Sequence, residues 1–168
     1  MYPFGHLGFT LAFFHSSTTM REKISTYALV FGTLLPDLID KSYGQFIFKH
    51  GRFVGHSFVI GFIICFSAGI LLHFLGKDNR LAPSLLAGWT AHLVEDSGGF
   101  LPLFYPVIQY SFPIYTFDPL RALSSPYVLA CEAMGVILLG ILAYRYGYVD
   151  IVKANGFTAL IRALLKLE

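Results

Sequence analysis

Residues 53–75 read FVGHSFVIGFIICFSAGILLHFL, and this stretch decides the class of fold. It runs for more than 20 residues with few charges, as does the stretch 127–148, YVLACEAMGVILLGILAYRYGY. A helix rises 1.5 Å per residue, so about 20 residues cross the ~30 Å hydrocarbon core of a bilayer. We therefore predict that both stretches are membrane-spanning helices, and their glycines suit close helix packing in lipid.

The overall composition favours lipid as the solvent. Of the 168 residues, 55% are hydrophobic and only 13% are charged, and the mean hydropathy is +0.64. A soluble domain carries about a quarter charged residues, and in water this chain would expose large apolar patches. The formal net charge of +2 comes without a run of like charges, so we expect no binding of nucleic acid.

Three further apolar segments are shorter and cover residues 3–16, 24–40 and 81–95. About 14–17 residues are marginal for a lipid-exposed span, so these segments would cross part of the bilayer or pack inside a bundle. Because no strand alternation is present, the predicted fold is all-α: one domain over residues 1–168, a polytopic membrane bundle of about five apolar helices. Residues 157–167 would add a short amphipathic helix on the membrane surface.

Two features have weaker implications. Residues 97–126 are rich in Gly, Pro and aromatic residues. They cannot form one helix, and they suit either an interfacial cap over a site or a simple connector. The cysteines, Cys65 and Cys131, lie within apolar runs. We interpret them as small buried or lipid-facing residues rather than as disulfide partners or metal ligands.

The ionisable residues are the informative ones, because a charge at mid-bilayer costs about 2.5–3.5 kcal/mol on insertion scales. They lie at the ends of the apolar segments. If successive segments cross the membrane in opposite directions, the ends that carry these residues all lie on the same side. His6 begins the first segment, Asp37 and Asp40 end the second, Arg52 and His56 begin the third, and His92, Glu95 and Asp96 end the fourth. The topology therefore predicts that one bilayer face assembles His6, Asp37, His56, His92 and Asp96.

These residue types are those of a metal site. His92 and Asp96 are four residues apart, so they share one helix face. Imidazole with carboxylate suits Zn²⁺, with Mn²⁺ or Fe²⁺ as less favoured occupants. The five side chains could hold one ion with an open position, or two ions that share Asp37 or Asp96. A divalent ion held in this way activates water for attack on an ester or phosphoester.

Two neighbouring residues would support this chemistry. Asp40 would orient a ligand or act as a general base, and Arg52 would hold an anionic substrate group. The ordinary interpretations are an interfacial histidine for His6, a pair with Lys41 for Asp37, and a helix end in water for Glu95 and Asp96. Beside a metal site, Glu95 would either support a ligand from behind or be solvated. We favour the metal site because all five predicted ligands fall on one face.

The remaining polar residues are assigned to other places. Eight basic residues would lie on the face opposite the ligands and four on the ligand face, which places the site outside the cytoplasm by the positive-inside rule. His15, His50 and His73 are predicted to be ordinary interfacial histidines. Glu132 would reach water or pair with Arg121.

The ordered set of motifs resembles the YdjM-like family of inner-membrane metal-dependent hydrolases, some members of which are described as LexA-binding. The matching pieces are Gly5-His6-Leu7, the run Leu34-Leu35-Pro36-Asp37-Leu38-Ile39-Asp40, Arg52 through His56-Ser57, and Gly88 with His92 and Asp96. They cover roughly residues 1–110. This sequence departs from the family pattern His-Arg-Gly-x-Thr-His-Ser: Gly51 stands at the position of the first His, and Gly55 stands at the position of the Thr.

The resemblance implies a membrane-bound hydrolase. Its motifs are similar to those of zinc-dependent phospholipases, which suggests a phosphoester in a lipid or lipid-linked substrate. Two alternatives stay open at this stage: a metal or proton carrier, and a scaffold whose helices are held together by a metal. The expected partners are membrane lipid and a small-molecule or lipid-linked substrate, and the sequence predicts no oligomeric state.

Overall fold

The computed structural model describes residues 2–42, 51–112 and 124–147, and all regular structure in these ranges is helical. The helices are α1 (Pro3–Phe14), α2 (Thr18–Lys23), α3 (Thr26–Ile39), α4 (Phe58–Phe74), α5 (Leu81–Glu95) and α6 (Pro126–Arg145), with a 3₁₀ turn at Val54–His56 before α4. The predicted all-α class is confirmed for these residues. The surface helix predicted for residues 157–167 lies outside them.

Local sequence explains several helix boundaries. Proline occupies the first helical position of α1 and α6, where its missing N–H costs nothing. The Ser25 hydroxyl accepts a hydrogen bond from the Ala28 N–H at the start of α3, and the Ser57 hydroxyl accepts one from the Ile60 N–H at the start of α4. After α4 the chain turns at Gly76, whose φ of 64° suits glycine.

The structure corrects two boundaries. The predicted span 53–75 is wrong at its start, because the helix begins at Phe58 and the preceding residues form the 3₁₀ turn. The basic turn around Arg21 and Lys23 is a short helix, α2. The prediction for residues 81–95 coincides with α5.

One described helix is long and apolar enough to cross a bilayer. Helix α6 has 20 residues, its best 18-residue window has a mean hydropathy of 2.0, and only 6% of that window is buried in the protein. Helix α4 is apolar but has 17 residues. Since a soluble core helix would be mostly buried, the exposure of α6 favours contact with lipid.

The helix contacts define a small core around α5, which packs against α3 on one side and α4 on the other. Glycines let the backbones approach: a Cβ at Gly32 or Gly88 would overlap the facing helix where α3 crosses α5. Helix α1 packs on α6 in the same manner, where Gly8 meets Gly135. Small residues at helix crossings are typical of bundles in lipid.

This arrangement gathers one end of several elements. Side-chain contacts join the start of α1 to the end of α5, the end of α3 to the turn before α4, and that turn to the end of α5. The opposite end contains His15, whose ring lies 5.6 Å from that of Tyr146, and the connection from α4 to α5. The ends predicted to meet by alternating crossings are therefore the ends that meet.

Candidate metal centre

All five predicted ligands lie at this common end, in two overlapping groups. In the first group, donor atoms of His6, His92 and Asp96 lie within 4.8 Å of one another. The second group consists of Asp37, His56 and His92 at the same spacing. The residue common to both groups is His92, and Asp96 lies near both other histidines, 3.6 Å from His6 Nε2 and 3.4 Å from His56 Nε2.

Asp40 fixes the His56 side of the cluster. Its side chain is fully buried, and one oxygen lies 2.7 Å from His56 Nδ1. The same carboxylate accepts hydrogen bonds from the backbone N–H groups of Phe53, Gly55 and His56, at 2.6, 2.8 and 3.2 Å. Since a carboxylate only accepts, Nδ1 carries the proton, and His56 directs Nε2 toward the other ligands.

Glu95 has the same role for His6. Its Oε2 lies 2.6 Å from His6 Nδ1, and its Oε1 accepts a hydrogen bond of 3.0 Å from the Thr10 hydroxyl. His6 is buried, and its Nε2 has no hydrogen-bond partner among the described residues. That nitrogen lies 3.6 Å from Asp96 Oδ1. The interfacial histidine considered for His6 is therefore wrong, and its Nε2 is a buried donor atom in need of a partner.

His92 lies between the two carboxylate-held histidines. Its ring stacks on that of His6 with centroids 4.0 Å apart, and its Nε2 is 3.3 Å from His56 Nε2. Its Nδ1 is buried without a hydrogen-bond partner among the residues described. Protonating more than one of these three buried imidazoles would place like charges side by side, whereas their neutral forms offer lone pairs to one cation.

Each ligand carboxylate also contacts a basic side chain. Asp37 pairs with Lys41 through Oδ2, while its Oδ1 lies 3.9 Å from the Nε2 atoms of both His56 and His92. Asp37 therefore pairs with Lys41 and also lies beside the histidines of the cluster. Asp96 Oδ2 lies 3.4 Å from His56 Nε2, so both carboxylates have an oxygen directed at the imidazoles.

Arg52 closes the outer side of the cluster. Its Nη2 donates to Asp96 Oδ2 at 2.6 Å, and its Nη1 donates to the Phe100 carbonyl oxygen at 3.4 Å. A Cβ at Gly99 would overlap the guanidinium. The side chain is 30% exposed, so the guanidinium joins the buried ligands to the surface.

The electrostatics of the cluster favour the charged forms of both Asp96 and His56. Burial raises the pKa of Asp96, but the His56 hydrogen bond and the Arg52 charge outweigh it, so its pKa lies below the ordinary value. Burial lowers the pKa of His56, but hydrogen bonds with Asp40 and Asp96 outweigh it and raise its pKa. The ionised form of Asp96 is therefore favoured, and a cation at His56 competes with a proton for Nε2.

The donor set fits a divalent cation. Four carboxylates (Asp37, Asp40, Glu95 and Asp96) face two basic side chains, Lys41 and Arg52, among the described residues. The acidic side chains thus outnumber the basic ones among these six residues, which favours binding of a cation. The unpartnered His6 Nε2 and His92 Nδ1 supply the lone pairs. Nitrogen and oxygen donors of this kind suit zinc and its neighbours in the first transition series.

Sequence reasoning missed or misplaced several contacts. Glu95 supports His6, which is the first of its two interpretations, but its contact with Thr10, four residues after His6 on α1, was not predicted. Glu132 is half-buried, and it accepts hydrogen bonds from backbone N–H groups at the start of α1, which the sequence did not indicate. The pair proposed between Glu132 and Arg121 involves a residue outside the described ranges, as does the prediction for His50. His73 is exposed on α4.

A protein-family model described as YdjM inner membrane protein matches residues 1–157. The chain belongs to this family. No curated protein and no solved structure matches it. The family description agrees with the exposed apolar surface of α6, and this YdjM-family chain is therefore a membrane protein.

Gly55, one of the two departures from the YdjM pattern, has a structural reason here. A Cβ at this position would overlap the Pro36 carbonyl oxygen and would lie 3.0 Å from the Asp40 carboxyl group. The missing side chain lets the Gly55 N–H donate to Asp40 Oδ1. Glycine at this position therefore belongs to the support of His56.

Proposed function

We propose that this YdjM-family chain is a membrane-bound, metal-dependent hydrolase that cleaves an ester or phosphoester of a lipid or lipid-linked substrate. One observation carries the proposal: two buried histidines have Nδ1 held by a carboxylate, and their Nε2 atoms lie 3.6 and 3.4 Å from the two oxygens of Asp96. Carboxylate–histidine pairs of this kind orient metal-binding imidazoles and raise their basicity.

Each residue has a stated part in this proposal. His6, Asp37, His56, His92 and Asp96 hold one or two ions, with Zn²⁺ preferred over Mn²⁺ and Fe²⁺. A divalent ion at such a site supplies Lewis-acid catalysis and a water nucleophile at neutral pH. Of the two parts considered for Asp40, orienting His56 is favoured over acting as a general base, because its buried carboxylate already accepts four N–H groups.

Arg52 is the proposed contact for the anionic substrate group. Its guanidinium reaches the surface and spans Asp96 and the Phe100 carbonyl, and guanidinium groups bind phosphate oxygens through paired hydrogen bonds. We further propose that the shorter helices lie in the membrane beside α6. The cluster would then open to the headgroup region of the extracytoplasmic leaflet, where a lipid phosphoester lies.

Metal analysis and turnover of the purified protein test the proposal together. The protein in detergent is dialysed, its zinc, manganese and iron are counted, and hydrolysis is followed with a chromogenic phosphodiester and a chromogenic carboxylic ester. We expect bound metal and metal-dependent cleavage of at least one probe. A protein that takes up no divalent metal at neutral pH contradicts the metal site, and one that binds metal but cleaves neither probe contradicts hydrolysis of these bond types.

Replacement of Arg52 by glutamine is expected to separate substrate binding from metal binding. A charge-assisted hydrogen bond contributes about 1.5–3 kcal/mol, so KM for an anionic phosphodiester should rise roughly 10- to 100-fold. Metal content should stay close to that of the unaltered protein, because Arg52 is not a ligand. Steady-state kinetics with the anionic and a neutral probe measure this, and an equal rise in KM for both probes argues against the assigned role.

Replacement of Asp40 by asparagine is expected to weaken metal binding by roughly 10- to 100-fold, the usual effect of removing a group that orients a metal-binding histidine. Asparagine has nearly the same volume, but one of its two polar groups is an N–H₂ donor. In Asp40 both oxygens accept hydrogen bonds, from His56 Nδ1 and from three backbone N–H groups, so the amide would lose part of these contacts. Competition with a fluorescent zinc chelator gives the affinity. Unchanged affinity would show that Asp40 supports the turn and not the ligand.

A metal-stapled scaffold is the second candidate, and the depth of burial favours it. His6, His56 and His92 are each no more than 1% exposed, and ions at such depth hold helices together without needing a substrate path. If the metal only holds the helices together, its removal lowers the unfolding temperature, and the metal-bound protein cleaves neither probe. Turnover of either probe by the loaded protein, lost with the metal, decides for the enzyme.

A further inference from the structure

Glu132 is an acidic residue within the apolar helix α6 that the candidate centre does not use. Its carboxylate accepts three backbone hydrogen bonds from the start of α1: Tyr2 N–H at 2.9 Å, Phe4 N–H at 3.1 Å and Gly5 N–H at 3.0 Å. Pro3, between them, has no N–H to offer. The carboxylate therefore satisfies the free N–H groups of the first turn of α1.

The contact is a helix cap supplied from another helix. The N-cap position of α1 is Tyr2, whose side chain makes no capping hydrogen bond. A carboxylate at a helix N-terminus is favoured by the helix dipole, and the gain is larger where water is scarce. Beside it, Gly8 and Gly135 bring the two backbones into direct contact, so the capping group and the small-residue contact fix α1 on α6.

The residue that follows the capped turn is His6. Its ring is set by Glu95, and its backbone is set by the turn that Glu132 caps. We propose that Glu132 is a positioning residue for the metal centre, holding the first turn of α1 so that His6 Nε2 faces His92 and Asp96. This inference rests on the proposed function, because His6 matters here as a metal ligand. It links the lipid-exposed helix α6 to the buried cluster.

A double-mutant cycle with Co²⁺ as the probe tests the proposal. Glu132→Gln keeps the side-chain volume and removes the carboxylate, and we expect it to lower Co²⁺ affinity roughly tenfold and to change the visible Co²⁺ spectrum. In a His6→Ala background the same replacement is expected to have no further effect, because its action passes through His6. An equal loss in both backgrounds would show a general structural role and would overturn the proposal.

Gly140→Ala is the matched control on α6, since nothing lies within 4 Å of the added Cβ, and it should leave Co²⁺ affinity unchanged. Should Glu132→Gln fail to fold, judged by Trp89 fluorescence, the cycle is run with Glu132→Asp, which keeps the charge on a shorter side chain.

Amide hydrogen exchange separates this inference from the proposed function. In metal-free protein, Glu132→Gln should speed exchange of the peptide containing Phe4 and Gly5 at least tenfold relative to Gly140→Ala, because the capped N–H groups lose their acceptor. Unchanged exchange overturns the positioning role whatever the metal data show. Faster exchange in a protein that binds no Co²⁺ supports the anchoring of α1 and rejects the metal centre itself.

Discussion

His92→Ala is expected to abolish metal binding, with a loss of affinity of more than ~100-fold. His92 is the one residue common to both ligand groups, so its removal leaves two donors in each of them. Removing a group that only orients a ligand lowers metal affinity about 10- to 100-fold. Here the ligand itself is removed, and both groups lose it. Metal content after dialysis against a weak chelator measures the effect, and hydrolysis of the probes should fall with it.

His73→Ala is the control for this experiment. His73 is exposed on α4, away from the cluster, so its replacement should change neither metal content nor turnover. Near-normal Trp89 fluorescence in both variants would show that the helices still pack. Full metal loading of His92→Ala would show that the cluster is not the metal centre, and equal losses in the two variants would point to a non-specific effect of removing histidine.

Single replacements of the other two histidines should be milder than that of His92. His6 and His56 each belong to one ligand group, so each single variant leaves the other group complete. Should the protein bind two ions, His6→Ala and His56→Ala are expected to keep about one each, counted by metal analysis. Complete loss in either variant would instead indicate one ion held by all three imidazoles.

Which residues meet could be predicted from the sequence because topology decides it. Once four apolar segments alternate in direction, polar residues at alternate ends must share a face, and His6, Asp37 and His56 do so. The pairing inside the cluster could not be predicted, since the choice between Asp37 and Asp40 as the partner of His56 Nδ1 depends on side-chain rotation about α3. The structure assigns that contact to Asp40.

The start of α4 was mispredicted for a related reason. Residues 53–57 continue the apolar run, so hydropathy alone extends the helix through them. Their backbone is instead held by the Asp40 carboxylate, which accepts the N–H groups of Phe53, Gly55 and His56. A contact between residues so distant along the chain leaves no local pattern, and tertiary hydrogen bonding overrides the helical preference of the run.

Glu132 and Thr10 are two further residues whose partners could not be predicted from the sequence. An acidic residue inside an apolar helix signals a partner, and that much was visible in the sequence. The partner is a helix N-terminus rather than a basic side chain, and free backbone N–H groups carry no mark in the sequence. Thr10 carries only its four-residue spacing from His6, a spacing that many unrelated pairs on helices share.

The crossing of α3 and α5 determines whether the ligands of the two helices can meet. Gly88 lies one turn before His92, and the facing residues Thr33 and Leu29 on α3 lie one and two turns before Asp37. A Cβ at position 88 would overlap the Leu29 carbonyl oxygen and lie 2.7 Å from the Thr33 nitrogen. Both are backbone atoms, so no side-chain rotation can relieve the clash and the helices must separate.

Gly88→Ala is therefore expected to destabilise the protein by about 1–3 kcal/mol or more, with a fall in Tm of roughly 5 °C. It should also weaken metal binding, because separating the helices moves His92 away from Asp37. Trp89, the one tryptophan of the chain, is buried beside the crossing, so its fluorescence reports thermal unfolding directly. The control, Gly140→Ala in the open part of α6, should be neutral or slightly stabilising, since alanine favours helix by about 1 kcal/mol. Equal Tm values for the two variants would mean that α3 and α5 do not cross as closely as the backbone contact requires.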